Sequence, residues 1–138
     1  MTIEVKGVQI PKDSIFFVLE DMENYHVNLK KELFSMGFRG KYLAFYTLKD
    51  ALDNLDKYDP DIFISDWNLP DGQGIALLDV VRSDAKNAKK PFMMMTTIDD
   101  VNKILDAIKK GADGYVVKPW QMGDIEENLS HAYHKRTS

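Results

Sequence analysis

Residues 62–81 read IFISDWNLPDGQGIALLDVV, and this stretch decides the fold. It opens on Ile62–Ile64, a short run in which every residue is apolar. Such a run suits a strand covered on both faces, as in a parallel sheet. Asp66 follows, then Pro70-Asp71-Gly72-Gln73-Gly74, a cluster of turn formers that predicts a loop. Leu77, Leu78 and Val81 then fall at helical spacing. The stretch reads as one βα unit.

The same alternation recurs on both sides of it. Ile15–Leu19, Tyr42–Tyr46, Phe92–Met95 and Tyr115–Val117 are further short apolar runs. Between and after them, helical spacing relates Leu29, Leu33 and Met36, then Leu48, Ala51, Leu52 and Leu55. It also relates Val101, Ile104, Leu105 and Ile108, and finally Met122, Ile125, Leu129 and Tyr133. Gly37 and Gly40, Asp59-Pro60 and Gly111 mark helix ends, and Thr47 and Asp99 are expected N-caps. Five βα units imply an α/β, doubly wound (βα)5 domain with right-handed crossovers and helices on both faces of a five-stranded parallel sheet. The domain is expected over residues 14–134. Residues 1–13 read as a loose extension or an extra edge element, and residues 135–138 as a frayed tail.

Composition excludes several classes. A chain of 138 residues with 44% hydrophobic and 29% charged residues has the balance of one globular domain. There is no cysteine, so disulfide scaffolds and thiolate chemistry are out. No apolar run approaches a membrane span, and the N-terminus lacks a basic region followed by an apolar stretch, so a cytoplasmic protein is expected. With 22 acidic against 18 basic residues the net charge is −4, which argues against direct nucleic-acid binding. The pairs Lys30-Lys31, Lys89-Lys90 and Lys109-Lys110 read as solvated helix ends and faces.

In an open α/β sheet, function gathers outside the carboxyl ends of the strands. Those ends carry Glu20-Asp21, Asp66, Thr96-Thr97 and Lys118-Pro119. Singly, each has an ordinary explanation as a cap, a turn residue or a solvent lysine. Together, at neighbouring strand ends, they form a constellation. Crowded carboxylates resist joint ionisation unless a cation sits among them, and a hard ion with oxygen ligands, Mg²⁺ above all, is the natural neutraliser. An aspartate beside such an ion can act as a nucleophile toward phosphorus. A threonine hydroxyl and a lysine ammonium then suit the phosphoryl oxygens.

These residues, with Asp66-Trp67-Asn68-Leu69-Pro70 and Gly111-Ala112-Asp113-Gly114-Tyr115-Val116-Val117-Lys118-Pro119, resemble the receiver domain of two-component response regulators. The resemblance is strongest to single-domain chemotaxis regulators of the CheY type. It implies a flavodoxin-like fold with strand order 2-1-3-4-5. It further implies a phosphorylation-activated switch that accepts a phosphoryl group from a sensor histidine kinase on Asp66. Asp21, Asp66 and the Asn68 main-chain carbonyl would then be Mg²⁺ ligands, and Glu20 would act on the metal through water. Thr96 and Lys118 would bind the phosphoryl group, and Thr96 and Tyr115 would be the switch residues. The Lys118–Pro119 peptide is expected to be cis. Output to a downstream protein, such as a flagellar motor switch or an output domain, would use the fourth helix, fifth strand and fifth helix. No catalysis is expected beyond the domain's own phosphoryl transfer and dephosphorylation.

Two positions depart from the family pattern. Thr97 stands where a small residue is usual, and Ile98 where the chemotaxis relatives carry an acid. A side chain branched at Cβ would crowd the water that hydrolyses an aspartyl phosphate, so a long-lived phosphorylated state is expected.

Other readings of the same residues are weaker. A haloacid-dehalogenase-type phosphatase needs a second aspartate two residues after its nucleophile, and Asn68 stands there. A flavodoxin-like cofactor carrier would cradle a phosphate in its first loop, which Glu20-Asp21-Met22-Glu23 would repel. A pseudo-receiver that binds partners without phosphorylation and a receiver excised from a longer regulator remain as alternatives. His131 and His134 read as a solvated tail rather than a metal pair, and Met93–Met95 as core. Trp120, expected at the start of the last helix, is open to two roles: an exposed partner contact or packing on its own helix.

Overall fold

The computed structural model describes all 138 residues. Its centre is a parallel sheet of β3 (Phe16–Leu19), β4 (Tyr42–Phe45), β5 (Ile62–Ser65), β8 (Phe92–Thr96) and β9 (Gly114–Val117). The strands lie in the order β4-β3-β5-β8-β9, which is 2-1-3-4-5 when these five are counted along the chain. This is the flavodoxin-like, doubly wound arrangement. Helices α1 (Glu23–Met36), α2 (Leu48–Asn54), α3 (Gly74–Ser83), α4 (Val101–Lys109) and α5 (Asp124–Thr137) connect and cover the strands. No helix is long and apolar enough to cross a membrane.

Continuous apolar runs make both faces of the sheet dry, because alternate residues of a strand point to opposite sides. Phe17, Leu19, Phe63, Phe92 and Met94 pack on one side with Ala51 of α2, Leu77, Leu78 and Val81 of α3 and Ala107 of α4. Phe16, Val18, Ile62, Ile64, Met93, Met95 and Val116 pack on the other with Leu29 and Leu33 of α1 and Ile125, Leu129 and Ala132 of α5. The Met93–Met95 run is therefore core.

The N-terminal residues are neither loose nor an edge of the main sheet. β1 (Thr2–Val5) and β2 (Val8–Pro11) form a separate antiparallel hairpin, and Val5 and Ile10 are buried in the α1/α5 layer. Its two-residue turn, Lys6-Gly7, has positive φ at both positions (48° and 81°), the geometry that matches strand twist in a tight hairpin. The C-terminal tail is likewise not frayed. Helix α5 runs to Thr137, and Arg136 donates to the buried carboxylate of Asp113 at 2.7 Å. Arg82 and the Phe92 amide donate to the same carboxylate at 2.9 and 3.0 Å, which ties α3, α5, β8 and β9 together.

Two local expectations change. Thr47 caps α2, accepting from the Asp50 amide, but α4 is capped by Asp100, which accepts from Asn102 and Lys103, rather than by Asp99. Within the loop after β5, Asn68–Leu69 (β6) and Gly72–Gln73 (β7) pair as a minimal antiparallel ladder. The apolar stripe of α4 also faces outward more than inward. Val101, Leu105 and Ile108 are exposed, and only Ala107 is buried.

Because the hairpin is part of the folded unit, Ile10→Ala is expected to lower stability by about 2–5 kcal/mol, the usual cost of emptying a fully buried isoleucine site. Urea unfolding measures this. An unchanged midpoint would mean that the hairpin contributes nothing to the core.

Candidate functional site

Three strands of the sheet, β3, β5 and β9, hand their next residues, Glu20, Asp66 and Lys118, to one pocket. The parallel ladder runs on past the strands: the Glu20 amide donates to Phe45, Asp66 to Leu19, and Lys118 to Thr96, at 2.9, 2.9 and 2.8 Å. These bonds fix the backbone of the three charged residues before any side chain is considered. Close behind them, Gly74 opens α3. A Cβ there would lie 1.8 Å from the Asp66 carbonyl oxygen, so only glycine lets the loop fold back and donate its amide to Trp67 at 2.7 Å.

Glu20, Asp21 and Asp66 each present a carboxylate oxygen within 4.8 Å of the others. Glu20 and Asp66 are buried, while Asp21 faces solvent. The Lys118 ammonium, itself buried, bonds to Glu20 and donates to Asp66 Oδ2 at 2.8 Å. It also lies 4.0 Å from the centre of the Tyr25 ring. Asp66 Oδ1 accepts the Trp67 amide at 2.6 Å, and Glu20 Oε2 accepts the Met22 amide at 2.9 Å. The peptide between Lys118 and Pro119 is cis.

Burial pushes the Glu20 carboxyl up to about 7, outweighing the hydrogen bonds from Lys118 and Met22 that favour its charged form. Burial also acts against the Lys118 ammonium, but its bonds to Asp66 and Glu20 prevail and hold it above its usual range. The ammonium therefore stays charged, while burial favours the protonated form of Glu20. An all-oxygen donor set with one exposed carboxylate and two fixed buried ones fits a hard divalent cation.

The remaining residues stand at the rim. Thr96 is buried at the end of β8, and its hydroxyl accepts a long bond from the Ile98 amide at 3.4 Å. Thr97, next to it, is exposed. Tyr115 is half-buried on β9; its hydroxyl donates to the Ile98 carbonyl at 2.8 Å, and burial pushes its pKa up to about 12. Asn68 is exposed in β6. Trp67 is buried, with the Lys103 ammonium of α4 5.2 Å from its ring centre.

Trp120 does not open the last helix and does not project from it. It lies in the loop before α5, donates its indole N–H to Glu32 of α1 and sits 6.1 Å from the Tyr25 ring. His131 and His134 are exposed on α5. Two contacts of the site escaped sequence reading. One is Tyr25 under Lys118. The other is His26, buried on α1, whose Nε2 lies 2.8 Å from the Glu20 carbonyl oxygen and whose Nδ1 lies 2.8 Å from the Tyr42 hydroxyl. A signal existed for His26: with Leu29 and Leu33 it occupies i, i+3 and i+7, the buried stripe of α1.

Comparison with known proteins agrees with this geometry. The family model described as "Response regulator receiver domain" matches residues 16–130. Chemotaxis protein CheY-3 of Vibrio cholerae is 31% identical over 124 residues, covering 90% of this chain and 95% of its own. Chemotaxis protein CheY1 of Helicobacter pylori is 30% identical over 113 residues, covering 81% of this chain and 90% of its own. Among solved structures, the signal receiver domain of an HD domain-containing protein from Pseudomonas fluorescens Pf-5 superposes with a TM-score of 0.77. At 21% identity, with 89% of this chain and 96% of that one covered, it speaks for the fold alone.

Loss of the Glu20 proton adds negative charge beside a cation in this pocket, so the cation's affinity is expected to rise as the pH passes upward through about 7. Mg²⁺ titrations at about pH 6 and about pH 8 check this. Equal affinities at the two would mean that Glu20 carries no proton in that range.

Proposed function

Because the chain belongs to the family of response regulator receiver domains, we propose that it is a phosphorylation-operated switch whose acceptor is Asp66. One observation carries this reading: the Asp66 carboxylate is buried, bonded to Lys118 and the Trp67 amide, and crowded by Glu20 and Asp21. A carboxylate so held is oriented rather than free to rotate, which is the positioning that a nucleophile toward phosphorus needs.

In the proposed reaction a carboxylate oxygen of Asp66 attacks the phosphorus of a phosphohistidine on a sensor histidine kinase. An O–P bond forms, the N–P bond breaks, and the imidazole leaves with its electron pair. Asp21, Asp66 and the Asn68 carbonyl would hold Mg²⁺, with Glu20 acting through water. The ion supplies positive charge against the phosphoryl oxygens when bound. The Lys118 ammonium already points at Asp66 and gives a second positive contact, while Thr96 supplies a hydroxyl from the neighbouring strand.

The response would leave through α4, β9 and α5. Thr96 and Tyr115 both bond to Ile98, in the segment that leads into α4, so movement at the phosphoryl group reaches this loop through one residue. The exposed apolar side chains of Val101, Leu105, Ile108 and Val117 give this face the chemistry of a protein contact. The downstream partner is accordingly a protein, such as a flagellar motor switch or an output domain, met in the cytoplasm. No external substrate is turned over: the chemistry ends with loss of the phosphoryl group from Asp66 to water. Thr97, exposed beside Thr96, would slow that step by crowding the water.

Incubation with acetyl phosphate and Mg²⁺ is expected to add the mass of one phosphoryl group to the intact protein and nothing to Asp66→Asn, whose amide is not a nucleophile. Mass spectrometry reads both. Equal labelling of the two proteins would contradict the assignment of Asp66, and labelling of neither would favour a partner-binding module that works without phosphorylation.

A further inference from the structure

We infer that His26, bridging Glu20 and Tyr42, is a positioning residue for the acidic site and sets its affinity for a divalent cation. The inference deepens the proposed function and rests on it.

The chain of contacts is short. Glu20 and Asp21 sit on the turn between β3 and α1, a turn whose helix cap, Met22, offers no side-chain oxygen. Something else must hold it. His26, buried one turn into α1 with 3% of its surface exposed, reaches back and meets the Glu20 carbonyl oxygen with Nε2 at 2.8 Å. A carbonyl oxygen can only accept, so Nε2 carries the hydrogen. That donor is present whether or not the ring is charged.

On its far side the ring is braced. Nδ1 faces the Tyr42 hydroxyl on β4 at 2.8 Å, and the Tyr46 ring stands 4.7 Å away, centre to centre. Tyr42 itself is half-buried, with the Lys30 ammonium 5.9 Å from its ring centre. Tyr46 in turn donates to Glu23. The edge strand β4 thus fixes an imidazole, and the imidazole fixes the backbone from which two of the three clustered carboxylates project. The main-chain position of Glu20 is held from both sides, by its own amide on Phe45 and by His26 on its carbonyl. Outer contacts of this kind, which orient groups that touch the metal, typically alter metal affinity by about 10- to 100-fold when removed.

Calorimetric titration of the full-length protein with Mg²⁺ tests this, with thermal unfolding run on every variant. His26→Leu keeps the bulk of the ring and removes the donor, and is expected to weaken Mg²⁺ about tenfold. His26→Gln restores an N–H at nearly the same reach, and is expected to stay within about twofold of wild type. A merely structural role would track apolar volume, so it would favour leucine over glutamine. A leucine variant that binds Mg²⁺ as well as wild type, or a glutamine variant as weak as leucine, would overturn the inference. If His26→Leu does not fold, Tyr42→Phe decides: it removes only the hydroxyl that braces the ring, and is expected to weaken binding severalfold. Unchanged binding in Tyr42→Phe would then overturn the inference. A wild-type protein that binds no Mg²⁺ would instead overturn the proposed function on which the inference rests.

Discussion

The structure depends on one buried cation. Glu20 and Asp66 are carboxylates taken out of water within 4.8 Å of each other and of Asp21, an arrangement that electrostatics opposes unless positive charge is placed between them. Lys118 supplies that charge from the end of β9, bonding to both buried carboxylates at once. Its ammonium must arrive from the far side of β8, so the order of the strands is a requirement of the pocket and not a background to it. Only a sheet that sets β3, β5, β8 and β9 side by side can bring these side chains together. The flat aromatic surface of Tyr25 against Lys118 gives the ammonium a further favourable face.

The rest of the molecule can be read as support for that meeting. Two dry layers, with alternate strand residues sorted between them, hold the sheet rigid while its carboxyl edge stays open. At another point of the fold, Asp113 gathers Arg82, Arg136 and the Phe92 amide, so this buried charge is fully partnered. The contrast in surroundings is informative. Asp113 is closed by two guanidinium groups and a backbone amide, whereas the acidic cluster has one lysine for three carboxylates and one of the three open to water. A saturated charge holds structure together; an undersaturated one is chemically available.

Much of this was legible in the sequence, and the parts that were not have physical reasons. The strands β3, β5 and β8 announce themselves because both of their faces are buried, which leaves runs such as Ile62–Ile64 and Phe92–Met95 without a polar residue. The acidic residues and Lys118 could be grouped because each stands within two residues of the end of such a run. The hairpin was harder. Ile3, Val5, Val8 and Ile10 do alternate, but the strands are four residues long and Lys6-Gly7 is a weak turn signal beside Asn-Gly. For α4, periodicity located the apolar stripe correctly and could not say what covers it, so Val101, Leu105 and Ile108 emerged on the surface. Trp120 and Arg136 depended on partners far away in the chain, Glu32 and Asp113, which no local pattern encodes. His26 lay on a readable stripe but was a single histidine among leucines, and its role appears only when Glu20 and Tyr42 are placed on either side of it.

The central claim is that Glu20, Asp21 and Asp66 act as one cation site around the acceptor. Trp67 reports on it most directly, since its amide bonds to Asp66 and its ring is buried beside α4. With Trp120→Phe as background, so that a single indole remains, Mg²⁺ is expected to change Trp67 emission in a saturable titration. Adding Asp21→Ala is expected to shift that titration strongly to higher Mg²⁺, because a charged ligand is removed from a site that has few. A titration that is the same with and without the Asp21 carboxylate would contradict the account.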